Sequence, residues 1–258
     1  MKLLAVTGSR ADFAPMEWLV QMLAADPWFE VRHTDLRESQ PDLAWPDLML
    51  VLGDRHEIMR VVLEAWLRRL PVAHIAGGDV TLGSYDDAMR DCISRMATVH
   101  FVTNTAALAR LSGLGYRNVH LVGSPGIDYI KHADWKRDRP YPEPYVVVSY
   151  QAETIDDTVD LPAVEDVIAG RRAIWVTPNP DRGNDRIPQG VSLPHGEFLN
   201  LIHHCEEFIG NSSAMLYEAP EMGVKTRMIG KRQRGRTIPW GDGLASQRII
   251  KILKYGAL

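Results

Sequence analysis

The sequence predicts an α/β fold made of two doubly wound, parallel-sheet domains in series. Three observations predict it. Short continuous apolar runs closed by Gly or Asp, such as Leu3–Val6 and Leu48–Gly53, alternate with segments of helical periodicity. Runs of that kind are what strands buried on both faces look like, and strand–helix alternation builds a parallel sheet. A polar, Pro-rich break at His132–Pro144 separates two such series, and 258 residues suit two small domains with a core each.

Leu3–Val6 is a buried strand feeding the loop Thr7-Gly8-Ser9-Arg10. Met16–Ala25 has helical periodicity, and Glu30–His33 is a short second strand. Leu48–Gly53 is a strand, Ile58–Leu70 a helix, and Pro71–Gly78 a strand running into a Gly-Gly loop. Asp86–Ala97 is a helix whose first-turn acids complement its dipole. VHFVT, a helix over Ala106–Leu114 and VHLVG complete the first series. The second series holds VVVSY, a short helix near Val164, AIWVTP, the helix Glu197–Phe208, FIGNSS, the helix Ala214–Met222 and TRMIG. Leu244–Tyr255 is a closing amphipathic helix. Two Rossmann-like halves facing each other place a ligand at the carboxyl ends of both sheets.

Hydrophobic content of 45% and charged content of 24% fit a soluble globular chain, and the net charge of −4 gives no global attraction to nucleic acid or anionic membrane. The charge is uneven: residues 1–160 carry a net of −7 and residues 161–258 a net of +3. The basic second half suits an anionic ligand or a solvated surface equally. No stretch approaches the ~18 apolar residues of a transmembrane helix, and the N-terminal apolar run reaches Gly8 and Arg10 too soon for a signal peptide. A cytoplasmic location is expected. Cys92 and Cys205 sit in helical patterns without CxxC spacing and read as core or near-core thiols. His203 and His204 have no ligand partner at suitable spacing, so no metal is expected.

Five segments can carry chemistry. Thr7-Gly8-Ser9-Arg10-Ala11-Asp12 follows the first strand; its glycine lets backbone approach a phosphate and Arg10 can pair with it, or the segment is a plain turn. Gly53-Asp54-Arg55 puts Asp54 just past a strand end, as a functional carboxylate or as a helix N-cap. His74-Ile75-Ala76-Gly77-Gly78-Asp79 with Asp86-Asp87 makes an acid/base cluster, unless Asp86 and Asp87 merely cap their helix. Gly210-Asn211-Ser212-Ser213 ends a strand and opens a helix, so Ser212 and Ser213 would face a diphosphate, with Glu218 placed to take both ribose hydroxyls. Gly230-Lys231-Arg232-Gln233-Arg234-Gly235-Arg236 carries four cations, as a phosphate clamp or a solvated loop.

Taken together the segments TGSRADF, VLGDR, HIAGGDVTLGSYDDAMRD, VHFVTN, VGSPGID, TPNPD, GNSSAMLYEAPEMGV and IGKRQRGR resemble the UDP-N-acetylglucosamine 2-epimerase family, in its order and through most of the chain. The hydrolysing, sialic-acid-pathway branch is nearest, and GNSS…E…P…G followed by RQ-GR is the most specific part. The resemblance implies the GT-B fold: an N-terminal domain over 1–135, a UDP-binding domain over 143–242, and a helix over 243–258 packing back on the first. It implies roles residue by residue. Arg10 is a phosphate contact, Asp54 a catalytic carboxylate, Arg55 a nearby ligand contact and Asp86 the second catalytic acid. Ser212 and Ser213 are diphosphate contacts, Glu218 the ribose contact and Arg232 a further UDP contact; Arg236 joins that clamp. No cofactor beyond the UDP-sugar substrate is implied, and a homodimer is admitted.

The departures matter as much. The family's catalytic histidine, in a His-Pro-x-Thr pattern, falls on Gln151, which cannot titrate. Some members have glutamate where this chain has Ala76, and many have it where Asp79 stands. The lysine that commonly follows the RAD motif falls on Pro15, and the chain is shorter than typical members. The leaving-group contacts survive while the C2 acid/base set is altered. A glycosyltransferase from a UDP-sugar is therefore the leading reading, with Asp54, Asp12, Asp79 or Asp86 as the base. Its acceptor would be a small molecule or, more remotely, a hydroxylated base in DNA. A hydrolysing 2-epimerase releasing ManNAc and UDP is the alternative, and an inactive nucleotide-sugar-binding module the third.

Overall fold

The computed structural model describes residues 1–8, 13–179 and 182–256. The chain divides into two compact units, one of Met1–Val80, Asp86–His132 and Pro239–Leu258, the other of Thr81–Tyr85 and Ala133–Ile238.

The first unit is a six-stranded parallel sheet: β1 (Lys2–Thr7), β2 (Glu30–Asp35), β3 (Leu48–Leu52), β4 (Val72–Ile75), β5 (Val99–Val102) and β6 (Val119–Leu121), in the order β2-β1-β3-β4-β5-β6. Its helices are α1 (Glu17–Ala25), α2 (His56–Leu67), α3 (Asp86–Met96), α4 (Thr105–Gly113) and α5 (Pro125–His132), with α9 (Ala245–Tyr255) from the end of the chain. Because both sheet faces are covered, alternate residues of one strand serve two cores. Leu3 and Ala5 pack with Leu19, Leu23, Ile249 and Leu253, so α1 and α9 cover that face. Leu4 and Val6 pack with Ile58, Val62 and Ile93, so α2 and α3 cover the other. This is why the strands read as continuous apolar runs.

The second unit is a four-stranded parallel sheet of β7 (Val146–Ser149), β8 (Ala173–Trp175), β9 (Phe208–Gly210) and β10 (Thr226–Met228), in the order β10-β9-β7-β8. It carries α6 (Leu161–Ile168), α7 (His195–His203) and α8 (Glu218–Glu221). Val146, Val148 and Ile209 pack with Val164 and Ile187 in its core.

Strand order reverses between β1 and β3 in the first sheet and between β7 and β9 in the second. Crevices for ligands open at such points, outside the carboxyl ends of the strands. The reversals select the loops after β1 and β3, and after β7 and β9.

Three expectations change. The break at His132–Pro144 holds the unit boundary but is partly packed: Trp135 is buried, and Asn200 Oδ1 accepts the Arg137 N–H (2.9 Å) while its Nδ2 donates to the Asp138 carbonyl (3.1 Å), with residues 136–140 exposed. Those bonds attach residues 133–138 to α7. The helix expected over Ala214–Met222 is a 3-10 turn at Ser213–Met215 followed by the four-residue α8. Pro220 explains the break, since its ring is tolerated only in a helix's first turn. Thr81–Tyr85, expected within the first domain, groups with the second unit, and Pro239–Asp242 with the first.

The final helix is capped from a distance. Leu244, its N-cap, offers no side-chain bond; instead Asp128 of α5, wholly buried, accepts from the Ala245 N–H (3.2 Å) and the Ser246 N–H (2.6 Å). A carboxylate on two orphan amides at a helix's positive end is a strong cap. Asp128→Ala is expected to cost about 2–3 kcal/mol in urea unfolding and to speed amide exchange over 245–255. Unchanged exchange there would remove the cap from the account.

Candidate active site

In the first unit the cluster assembles around a residue the sequence reading passed over. Gly53 turns the chain after β3 with φ +83°. Arg55, not Asp54, is the N-cap of α2, so the capping alternative for Asp54 falls away. Asp54 instead forms an ion pair with Arg90 of α3. The same guanidinium pairs with Asp87 and donates to the Asp79 carbonyl (2.8 Å), and only 2% of the Arg90 side chain is exposed. Burial works against its charge, but Asp54, Asp87 and Asp79 outweigh burial and raise its pKa further. Arg90 is thus a buried fork that holds the acidic loops to α3. The signal was in DDAMRD, where Arg90 lies three and four residues past the two acids, on their face of the helix.

The expected acids differ in setting. Asp79 is buried, and its carboxylate accepts from Thr103 Oγ1 (3.2 Å) and Asn104 Nδ2 (2.8 Å) past the end of β5. Asp86 opens α3 and is half-buried, next to Asp87. Arg55 pairs with Glu57 at 3.2 Å. Arg10 and Asp12 lie outside the described residues.

His74 is no acid/base group, contrary to the cluster read from the sequence. It is wholly buried, with Nε2 on the Gly53 carbonyl (2.8 Å) and Nδ1 on Ser94 Oγ (3.0 Å), and burial lowers its pKa to about 3. A neutral imidazole donating at Nε2 and accepting at Nδ1 satisfies both contacts, and so braces the turn that carries Asp54. Gly77 packs over this bridge: a Cβ there would lie 2.8 Å from Ser94 Oγ and 2.9 Å from His74 Nδ1. Because the folded-state pKa is depressed, the unfolded chain takes up the proton first. Stability present above pH ~6.5 is lost as pH falls toward about 3, at no more than ~1.4 kcal/mol per pH unit. Wild type is expected to lose about 1–3 kcal/mol more than His74→Asn between pH 6.5 and 4 in urea unfolding; parallel curves would count against a neutral buried His74.

In the second unit the loops after β7 and β9 are bound together. Gly210 has φ +135°, and a Cβ there would lie 2.1 Å from the Ser149 carbonyl oxygen, so only glycine fits. Asn211, wholly buried, accepts from the Gln151 N–H (2.8 Å) and donates to the Gln151 carbonyl (2.8 Å). Ser212 caps the 3-10 turn through the Ala214 N–H (3.3 Å), and Ser213 Oγ accepts from the Tyr217 hydroxyl (3.2 Å). With one short turn behind them, the serines offer local amides and hydroxyls rather than the dipole of a long helix. Glu218 is buried with Oε1 3.2 Å from His195 Nε2, a partner twenty-three residues away that no local pattern points to. Arg232 donates to the Ala152 carbonyl (2.6 Å), and Arg236 reaches Thr81 Oγ1 (3.4 Å), while Lys231 and Arg234 are exposed. The cationic loop is therefore anchored by two of its arginines. Among the described residues no group of three His, Cys, Asp or Glu side chains is placed to hold a metal, and no helix is long and apolar enough to cross a membrane.

Comparison with known proteins follows the same residues. The family model for UDP-N-acetylglucosamine 2-epimerase matches residues 41–238. The polysialic acid biosynthesis protein P7 of Escherichia coli is 31% identical over 219 residues, covering 74% of this chain and 56% of that protein. The UDP-N-acetylglucosamine 2-epimerase of Neisseria meningitidis serogroup B is 29% identical over 221 residues, covering 74% and 57%. The chain thus spans little more than half the length of these curated relatives. Among solved structures, UDP-GlcNAc 2-epimerase from Neisseria meningitidis bound to UDP-GlcNAc superposes with a TM-score of 0.76 at 14% identity, covering 98% of this chain and 100% of that one. The S. aureus MnaA–UDP co-structure gives 0.75 at 18%, covering 98% and 96%. At such identities the likeness shows a shared GT-B fold. With the family model running from before β3 to the end of the cationic loop, the chain belongs to the UDP-N-acetylglucosamine 2-epimerase family.

Proposed function

We propose that this chain is a hydrolysing 2-epimerase of a UDP-linked 2-acetamido sugar. The observation that carries the reading is the family match over 41–238, which contains Asp54, Asp79, Asp86, Ser212, Ser213, Glu218, Arg232 and Arg236 in one uninterrupted span. It shifts the balance from transfer, the leading reading of the sequence, to epimerisation. The matched relatives named as epimerases include the UDP-N-acetylglucosamine enzyme and, at 28% identity over 222 residues, the GDP/UDP-N,N'-diacetylbacillosamine 2-epimerase of Campylobacter jejuni. Both sugars are candidate substrates here.

The chemistry divides as the residues do. UDP departs from C1, and Arg232, Arg236, Ser212 and Ser213 stabilise the leaving diphosphate while Glu218 takes the ribose hydroxyls; Arg10 and Arg55 are further phosphate-side contacts. The C2 proton must leave and water must add, and Asp54 and Asp86 are the acid/base pair for that. Asp79 and Asp12 are secondary candidates. Arg90 supports this division because its buried guanidinium ties Asp54 to Asp87 and to the Asp79 carbonyl, gathering the acids of the first unit at one place.

Incubation with UDP-GlcNAc alone, followed by NMR, tests it. ManNAc and UDP appearing together is the expected result, with UDP-N,N'-diacetylbacillosamine as the parallel substrate. UDP release that requires an added acceptor would return the reading to transfer, which the non-titrating Gln151 favours. Binding without turnover of either sugar would leave a nucleotide-sugar-binding module.

A further inference from the structure

Gln151 stands two residues past β7, where the strand order of the second sheet reverses, and its side chain is held more tightly than any surface amide needs to be. Its Oε1 accepts two hydrogen bonds, from the Asn179 N–H (3.0 Å) and from Asn184 Nδ2 (2.8 Å). Asn184 is itself fixed, since its Oδ1 accepts from the Ala152 N–H (2.6 Å) and its Nδ2 also donates to the Asn179 carbonyl (2.9 Å). The backbone of Gln151 is clamped on both sides by Asn211. Two donors on one carboxamide oxygen settle the orientation of the amide: turned over, its NH₂ would face two other N–H groups.

Gln151 is 7% exposed. Among the described residues Nε2 takes no hydrogen bond, and it is not among the atoms sealed from solvent. Two N–H donors are thus oriented in advance, without charge and without a titratable proton. The neighbouring loop is cationic and oxygen-seeking: Arg232 donates to the carbonyl of Ala152, the next residue, and Gln233 Nε2 donates to the Asn211 carbonyl (2.8 Å).

We propose that Gln151 Nε2 donates a hydrogen bond to a diphosphate oxygen of the nucleotide-sugar. The inference rests on the UDP-sugar reading above and adds to it a ligand contact. It also gives the departure from the family's histidine a physical sense, because a donor remains at that position while proton transfer does not. Donors aimed in advance at developing charge need no reorganisation as the leaving group departs.

Gln151→Glu separates this from a purely structural role. The glutamate keeps an oxygen for Asn179 and Asn184 but puts a second oxygen where the donor was. Affinity for UDP-glucose, a diphosphate diester lacking the acetamido group, is expected to fall about 10²-fold at pH 8, with affinity for uridine within about twofold of wild type. Gln151→Met, which has neither donor nor charge, is expected to weaken UDP-glucose about tenfold, again sparing uridine. Unchanged UDP-glucose binding in both variants overturns the proposal, as does an equal loss for uridine, which would mark a disturbed fold. Weakening of UDP-GlcNAc alone, with UDP-glucose untouched, would move the contact to the acetamido carbonyl and overturn the phosphate assignment. Wild type that binds uridine but neither UDP-glucose nor UDP-GlcNAc would overturn the UDP-sugar reading itself.

Discussion

Replacing Arg90 by leucine is expected to destabilise the first unit by about 3–5 kcal/mol and to abolish turnover. The guanidinium is 2% exposed and serves Asp54, Asp87 and the Asp79 carbonyl at once. Leucine would take the Arg90 cation away from two carboxylates and one donor away from a carbonyl. Removing one partner of a buried pair costs far more than the pair's net worth, because the remaining charge has lost its water and gained nothing. Arg90→Lys keeps the charge but not the planar fork, and about 1–2 kcal/mol is expected from the lost bonds. An internal control exists on the same helix. Asp91 pairs with Arg110 at 2.9 Å, with side chains 45% and 32% exposed, and Arg110 also donates to the Asp79 carbonyl (3.3 Å); Arg110→Leu should cost only about 1 kcal/mol because the ion pair is screened by solvent and one hydrogen bond is lost. Urea unfolding of the three variants checks the ranking. Arg90→Leu and Arg110→Leu falling within about 1 kcal/mol of each other would show that burial does not govern the Arg90 contacts.

Arg90 also shows where reading the sequence ends. The strands were legible because both faces of a parallel sheet are covered, so Leu3–Val6 and Leu48–Leu52 had to be apolar throughout. The strand-end loops were legible because ligands gather at the carboxyl ends of such sheets, and because glycines such as Gly53 and Gly210 mark turns that side chains resist. Which acid meets which base was not legible. Arg90 is thirty-six residues from Asp54, and only the packing of α3 beside the loop after β3 joins them. His195 meets Glu218 for the same reason, across α7 and α8. His74 misled because a strand-end histidine beside acids looks functional, and burial, helped by the nearby His100 and Arg90, converts it to a neutral brace. The broken helix after Ser213 was visible in principle: Pro220 at that spacing forbids a continuous helix from 214.

Asp54→Asn should divide catalysis from binding most sharply. Asparagine keeps an oxygen for Arg90 and the shape of the loop after Gly53, but it cannot take a proton. If Asp54 is the base at C2, the rate of UDP release from UDP-GlcNAc falls about 10²–10⁴-fold, while affinity for UDP stays close to wild type. Glu218→Gln should do the reverse. Its carboxylate is buried against His195, and a neutral amide accepts less strongly from a ribose diol, so UDP affinity drops about tenfold with a smaller effect on the bound-state rate. The two variants therefore separate kcat from KM in opposite directions. Asp54→Asn with full turnover would transfer the proton-accepting role to Asp86, the other acid of the proposed pair, half-buried at the start of α3. Asp54→Asn that loses UDP affinity in step with rate would show instead that the charge at Asp54 matters for assembling the Arg90 cluster rather than for chemistry at C2. A loss of rate alone is the expected result, since an asparagine oxygen still meets Arg90 and the loop that carries it is braced independently by His74 at the Gly53 carbonyl.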